Sequence, residues 1–387
     1  MLTETRCSPC AHSCEPESAP LRVAVLLSGG VDSSLALNLA CGAGHTVTAF
    51  YLQIWFQEDF ANFWDACPWE EDLAYARAVC DQAGVQLKVV PLTAQYWERV
   101  VSACVADIAA GRTPNPDVLC NSRIKFGAFL EYLEGEHGGS FDRVASGHYA
   151  RVARHSGPEG ATLPPVLTAC SDAVKDQTYF LAALTAKQLG KAMFPLGLLP
   201  KAAVRQLAQA GRLPPAQRKD SQGICFLGKV KFSDFVGRHL GSCAGSLVDG
   251  DSCRRVGTHA GCWFYTLGQR KGIQLSGGPW YVTAKDPGRN LVYVSATSPA
   301  PHKRRTTFRL GAFSWLGHAR PGQGPHAGLR VKARAVRGRR RGQCCDVSLS
   351  CPGPHSDCPL PRTRCATGQT PTAPASCGRR RARWRRR

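Results

Sequence analysis

Long apolar runs are missing from this 387-residue chain, and none approaches the roughly 20 residues needed to span a bilayer. The expectation is therefore a soluble protein without membrane contact. The chain has no G-x-x-x-x-G-K-[ST] segment, and the turn after its first strand-like run lacks G-x-G-x-x-G. The Walker and dinucleotide-binding cradles are thereby removed. Acidic residues are scarce in one region. Residues 303–387 hold 21 of the 49 Lys/Arg but only 2 of the 28 Asp/Glu, so most of the net charge of +21 is local. Such a distribution argues for a sticky tail, not a basic catalytic domain. No secretory apolar core precedes the 19 cysteines. At this length they suggest individual reactive thiols in a reducing compartment, not a disulfide scaffold. The leader, residues 1–20, has one arginine against three glutamates, a poor charge balance for a transit peptide. Cys7, Cys10, His12 and Cys14 have zinc-like spacing, but the expectation is a disordered leader with no metal.

What is present begins with LLSGGVDSSLALNLA, Leu26 to Ala40. Val23 to Leu27 has the apolar run of a buried parallel strand, and Ser33 onward the pattern of a helix. Between them two glycines let the backbone turn tightly and aim its N–H groups at a ligand. A helix N-terminus beyond such a turn offers unpaired donors and a positive dipole end, a cradle for phosphate. The string Ser28-Gly29-Gly30-Val31-Asp32-Ser33 resembles the PP-loop of the ATP-pyrophosphatase superfamily, whose members adenylate an oxygen and release pyrophosphate.

Strand and helix patterns alternate from Leu21 to about Tyr149, with the last strand expected in FDRVASGHYARV. Alternation of this kind predicts an α/β fold, a parallel sheet with helices on both faces and ligands at the carboxyl ends of its strands. Ser28–Ser33, Leu52 and Gly147-His148 fall at such ends. From Gly245 short strands separated by Gly, Asp and Pro suggest a small antiparallel barrel. After about Ser350 no periodicity survives, and disorder is expected.

Two cysteine neighbourhoods stand out. In GRTPNPDVLCNSRIKFGAFLEYL, Cys120 is read at a helix N-terminus near Arg123 and Lys125, an arrangement that lowers a thiol pKa. Asp117 lies three residues earlier and can exchange a proton. In RKDSQGICFLG, Cys225 follows Arg218 and Lys219, so a similar electropositive argument applies. Two loop thiols beside an adenylating site suggest sulfur chemistry, with one thiol carrying a persulfide and the other resolving it.

With SGGVDSS, GRTPNPDVLCNSRIKFGAFL, ASGHYARV, KDQTYFL, FPLG, KDSQGICFLG, YTLGQRKG and GGPWYVTAKD on view, the chain closely resembles the tRNA-specific 2-thiouridylases. These are the tRNA-uridine 2-sulfurtransferases of bacteria and organelles, and the likeness runs from Val23 to about Val347. The resemblance implies a PP-loop (adenine nucleotide alpha hydrolase-like) domain over residues 21–217. A central tRNA-binding, β-rich domain carrying the second cysteine follows over 218–284. An incomplete C-terminal antiparallel β-barrel spans 285–350, and a low-complexity tail 351–387. It further implies that Leu26, Leu27, Ser28, Gly29, Gly30, Val31, Asp32, Ser33, Leu52 and Gly147 contact ATP, accompanied by Mg2+. Asn115, Pro116 and Asp117 would meet the target base, with Asp117 as acid/base group. His148, Lys175, Asp176, Gln177 and Arg334 would touch tRNA through its anticodon arm. Cys225 would carry the persulfide, received from a cysteine desulfurase or persulfide relay, and Cys120 would be its nucleophilic partner.

The chain departs from the family after Gln343, where an arginine run replaces the expected strands, and Ala335 stands where the family has an aromatic. Tyr265 to Lys271 suits either a solvated hairpin or tRNA contact. Two other functions remain open at this level: another PP-loop ligase, which needs no pair of thiols, and a non-catalytic tRNA-binding relative. A monomer in a mitochondrion or plastid is expected, with the cytoplasm as the alternative.

Overall fold

The computed structural model describes residues 19–54, 68–154, 163–220 and 232–296, together with the backbone of a short antiparallel pair, Arg330–Val331 and Cys345–Asp346. Residues 1–18 of the leader, the Cys225 segment, Arg334 and the expected tail lie outside the described residues, as does the expected C-terminal barrel beyond residue 296 apart from that pair.

The first strand, β1 (Arg22–Leu26), is a short apolar run with four of its five residues buried, as a strand covered on both faces requires. It leads through Leu27–Gly30 into α1 (Val31–Gly42), β2 (Thr46–Gln53), α2 (Pro68–Ala83) and β3 (Leu87–Pro91). Two interrupted helical runs follow. The first is α3 (Thr93–Tyr96), a π-helical stretch at Trp97–Val101 and α4 (Ser102–Ala109). The second is α5 (Pro116–Cys120), a π-helical stretch at Asn121–Ala128 and α6 (Phe129–His137). Beyond β4 (Arg143–Ala145) come an antiparallel pair, β5 (Arg151–Ala153) and β6 (Val166–Thr168), and then α7 (Thr178–Leu181) and α8 (Ala186–Lys191). The series continues with β7 (Ala192–Met193), α9 (Lys201–Ala210) and α10 (Phe232–Leu240).

The main sheet has the order β3-β2-β1-β4-β7, with every pairing parallel. The chain starts in the middle, builds one half outward and returns beside β1 to begin the other half. The carboxyl ends of β1 and β4 therefore flank a topological switch point, where open α/β sheets bind ligands. Side chains of β1 alternate between two cores. Ala24 and Leu26 join Val100, Cys104, Cys120 and Phe129 on one face, while Val23 and Val25 join Leu37, Leu73 and Val79 on the other. Helices thus cover both faces, as expected. A third cluster packs Leu35 and Leu39 of α1 against Val204 and Ala208 of α9. Helix α1 is buried nearly all round because it is sandwiched between sheet and helix.

FDRVASGHYARV does not form one strand. β4 stops at Ala145, and the chain turns through Ser146–Ala150 before β5 begins. The break lets Gly147 press against the first turn of α1, where a Cβ would sit 2.7 Å from Ser33 N.

The second sheet comprises β8 (Gly245–Asp249), β9 (Arg255–His259), β10 (Tyr281–Asp286) and β11 (Leu291–Ser295), in the order β10-β11-β8-β9. It is mixed rather than wholly antiparallel, because β11 runs parallel to β8 while the outer pairs are antiparallel. The long 260–280 crossover between β9 and β10 permits that arrangement. A division at 284/285 falls inside β10. Phe235 and Val236 of α10 belong to the first core with Val101 and Cys104, so α10 packs on the nucleotide-fold side.

Candidate active site

The phosphate loop is shaped by its glycines and serines. Gly29 adopts φ +72°, and a Cβ there would collide with the backbone carbonyl of Asp72. Only glycine meets both conditions. The Ser33 hydroxyl accepts from Ser28 N at 3.2 Å and donates to Gly30 O at 3.1 Å, closing the loop on itself. Gly30 caps α1 without any side-chain bond. The first N–H groups of the helix are thus left for a ligand. Leu26, Leu27 and Val31 are buried beneath the loop, and Leu52 is half-buried at the end of β2.

Asp32, in the first turn of α1, receives two donors on one oxygen: Lys201 Nζ at 2.6 Å and the Tyr149 hydroxyl at 2.8 Å. Burial and the Asp32 carboxylate together push the Tyr149 phenol far above its ordinary range. Lys201 also pairs with Asp220 at 2.9 Å, and Asp220 pairs with Lys175 and Arg205. On the other side of the loop Arg218 donates to Gly29 O at 3.2 Å, pairs with Asp72 at 2.5 Å and lies over the Tyr75 ring. Tyr149, Lys201, Arg205, Arg218 and Asp220 were not singled out in the sequence as members of this site. Lys201 lies 169 positions from Asp32, and an amphipathic helix start carries no signal of that contact. RKD at 218–220 was visible only as a basic neighbourhood for Cys225.

Asn115 caps α5, its side-chain oxygen accepting from Asp117 N at 3.1 Å and Val118 N at 3.4 Å, with Pro116 in the first turn. This places the helix N-terminus five residues before Cys120. The expected thiolate is corrected accordingly. Cys120 ends α5, is fully buried in the first core, and burial pushes its thiol pKa up. The nearby Lys125 charge acts in the opposite direction and is outweighed, while Asp117 raises the pKa further. Arg123, exposed, instead donates to the carbonyl of Arg99. The electropositive argument for Cys225 also loses one contributor, because Arg218 is paired with Asp72 and Glu71. Cys225 itself lies outside the described residues.

The helical run that begins with α5 is linked indirectly to the first turn of α1 by a relay through α7, Gln177 and Tyr149. Asn121 Nδ2 donates to Phe180 O at 3.1 Å, and the α7 that holds Phe180 directly follows Asp176-Gln177. Gln177 accepts from Tyr149 N at 2.9 Å, and Tyr149 reaches Asp32. Three of the five residues expected to touch tRNA have partners within the chain: Lys175 on Asp220, Asp176 on Cys170 N and Thr178, Gln177 on Tyr149. His148 bonds Ser146 at 2.8 Å and packs against Phe126 and Phe194. Burial, then repulsion by Lys125, drives its pKa well below the usual range, so the ring is neutral.

No group of three or more His, Cys, Asp or Glu among the described residues could hold a metal ion. The glycine-lined cradle fits a nucleotide polyphosphate. One carboxylate, Asp32, fits a magnesium ion held mainly by phosphates and water.

A parallel sheet opening into this loop at its switch point defines an ATP-binding PP-loop protein of the HUP class. The family described as the tRNA methyl transferase HUP domain matches residues 21–229, and the tRNA methyl transferase PRC-barrel domain matches residues 233–296. The tRNA-specific 2-thiouridylase MnmA 1 of Bacteroides thetaiotaomicron is 45% identical over 296 residues, covering 76% of this chain and 80% of that protein. The MnmA of Porphyromonas gingivalis is 46% identical over 294 residues, covering 76% of this chain and 78% of its relative. The chain belongs to the tRNA-specific 2-thiouridylase family.

Proposed function

We infer that the protein is a tRNA-uridine 2-sulfurtransferase that uses ATP to replace the carbon-2 oxygen of the wobble uridine with sulfur. The observation that carries this reading is one connected site. It joins a phosphate loop, through Tyr149 and Gln177, to the helix bearing Asp117 and Cys120. Methyl transfer, named in the family description, has no use for a polyphosphate cradle. Adenylation does.

ATP, with Mg2+, activates the uridine oxygen as an AMP ester, making it a leaving group. Loop N–H groups at Gly29–Asp32 would hold the polyphosphate, and Asp32 would sit beside the metal. Asn115, Pro116 and Asp117 would receive the flipped base at the mouth of α5. Cys225 would bring sulfur as a persulfide from a cysteine desulfurase or persulfide relay. Sulfur replaces the oxygen as AMP leaves by one of two routes: the outer sulfur of the Cys225 persulfide bonds to carbon 2 and Cys120 then cleaves the remaining S–S bond, or Cys120 attacks the persulfide first and releases sulfide that bonds to carbon 2. In both, the two electrons come from the thiols, which end as a Cys120–Cys225 disulfide. Because Cys120 starts as a buried thiol, its reaction needs a proton acceptor, and Asp117, one turn away, supplies one. His148, neutral, would offer a ring rather than a charge to RNA, and Arg334 a cation. Recognition rests on the shape of the anticodon arm. A monomer working in a mitochondrion or plastid, with the cytoplasm as the alternative, completes the proposal.

The test is reconstitution with an unmodified tRNA transcript, ATP and a persulfide donor, followed by nucleoside mass spectrometry. ATP-dependent 2-thiouridine at the wobble position is expected. ATP consumption with no sulfur in the RNA would point to another PP-loop ligase instead.

A further inference from the structure

Residues 214–220 form an irregular strip with no strand or helix ladder, yet side chains from three elements hold it. Arg205 of α9 donates to Ala216 O at 3.2 Å and to Arg218 O at 2.5 Å. Arg218 reaches the phosphate loop at Gly29 O and α2 at Asp72. Asp220 closes the strip by meeting three cations: Lys175 at 2.9 Å, Lys201 at 2.9 Å, and Arg205. Burial opposes its ionisation, but the three donors prevail and hold the carboxyl well below the usual range.

Lys201 makes this hub more than a local clamp. Its ammonium, with a side chain only 13% exposed, bridges Asp220 to Asp32 in the phosphate loop. Asp220 is also five residues before Cys225.

We propose that Asp220 is a positioning residue: acting through Lys201, it ties the phosphate loop to the strip that leads to Cys225, so that adenylation and sulfur delivery stay coupled. The proposal rests on Cys225 as the sulfur carrier. Without the carboxylate, Lys175, Lys201 and Arg205 lose their common partner and repel one another. The phosphate loop keeps its internal Ser28–Ser33 bonds and Asp32 keeps Lys201, so adenylation falls less than sulfur transfer. The strip loses its anchor. Water then competes with sulfur for carbon 2 of the activated base. Its oxygen bonds to that carbon, AMP departs with the original oxygen, the water's protons are released, and unmodified uridine returns.

The experiment uses full-length enzyme loaded with persulfide, a tRNA transcript and ATP in a single turnover, counting AMP and 2-thiouridine together. Asp220→Asn is expected to lower thiouridine formed per AMP by at least about five-fold, within what misplacing a reactant by an ångström can cost. Asp220→Glu is expected to recover most of it. An unchanged ratio in Asp220→Asn, whether both products fall together or neither does, overturns the proposal. Should Asp220→Asn fail to fold, Lys175→Met, which removes one of the three cations, is expected to lower the ratio about two-fold. An unchanged ratio there overturns it equally. Cys225→Ser separates the two ideas: thiouridine made by that variant defeats the carrier reading, whatever Asp220→Asn does.

Discussion

Cys120, the proposed nucleophile, has surroundings that oppose its ionisation, since burial and Asp117 both raise its pKa. With Asp117 as its proton acceptor, sulfur transfer is expected to have a nearly flat profile, whereas unaided ionisation of Cys120 would raise the thiolate fraction and the rate about ten-fold per pH unit above neutrality until the raised pKa is passed. A single-turnover pH series from 7 to 9 checks the sign. A flat profile would show that Asp117 takes the proton during the reaction. Cys120→Ser and Cys225→Ser are each expected to abolish thiolation and leave tRNA binding near wild type, measured by filter binding beside nucleoside analysis. Normal sulfur incorporation by either variant would remove that residue from the mechanism. Asp32→Ala is expected to block AMP formation yet leave persulfide loading on Cys225 intact, because loading involves the thiol and its donor alone. Loss of loading, read by thiol-specific labelling, would show that the loop governs both halves of the cycle.

At the scale of elements, the β1–loop–α1 unit was open to sequence reading because every feature that makes it is local. An apolar run, two glycines and an Asp-Ser pair sit within a dozen residues, and the structure differs mainly in starting α1 at Val31 instead of Ser33. Helix α5 was legible in part. Asn115 and Pro116 make a good cap and first turn, and reading the cap one turn too late put Cys120 at the N-terminus instead of in the core. The charge hub was not legible, since its members come from α1, the 170–177 loop, α9 and the 214–220 strip. Only folding brings them within hydrogen-bonding distance. Asn115→Ala should cost about 1 kcal/mol of stability through the lost cap, seen as a lower denaturant midpoint. Gly147→Ala forces a Cβ to 2.7 Å from Ser33 N, and such overpacking typically costs about 1–3 kcal/mol. Weaker ATP binding should accompany it, and titration calorimetry would show whether the loop moved.

Across the whole molecule, the two sheets share a seam. Phe235 and Val236 of α10 enter the first core, Trp263 and Phe264 pack on both cores, and Trp97 meets His239 with ring centroids 5.4 Å apart. Truncation after about Ser350 lies beyond that seam and every proposed catalytic residue, so ATP-dependent thiolation should persist. The salt dependence of RNA binding should become shallower, because the seven arginines between Arg379 and Arg387 are lost and each phosphate contact adds roughly one unit of slope. Cognate tRNA and an unrelated RNA at two salt concentrations give the comparison. Loss of turnover on truncation would place the tail inside the working fold. Helix α1 carries a different consequence. From Val31 to Cys41 none of its residues is exposed, being pressed between the sheet and α9. Amides so enclosed exchange with deuterated solvent only when the whole domain opens. The nucleotide cradle therefore sits at the start of a helix expected to exchange only on global opening, and on heating adenylation should fail at the same temperature as the fold itself.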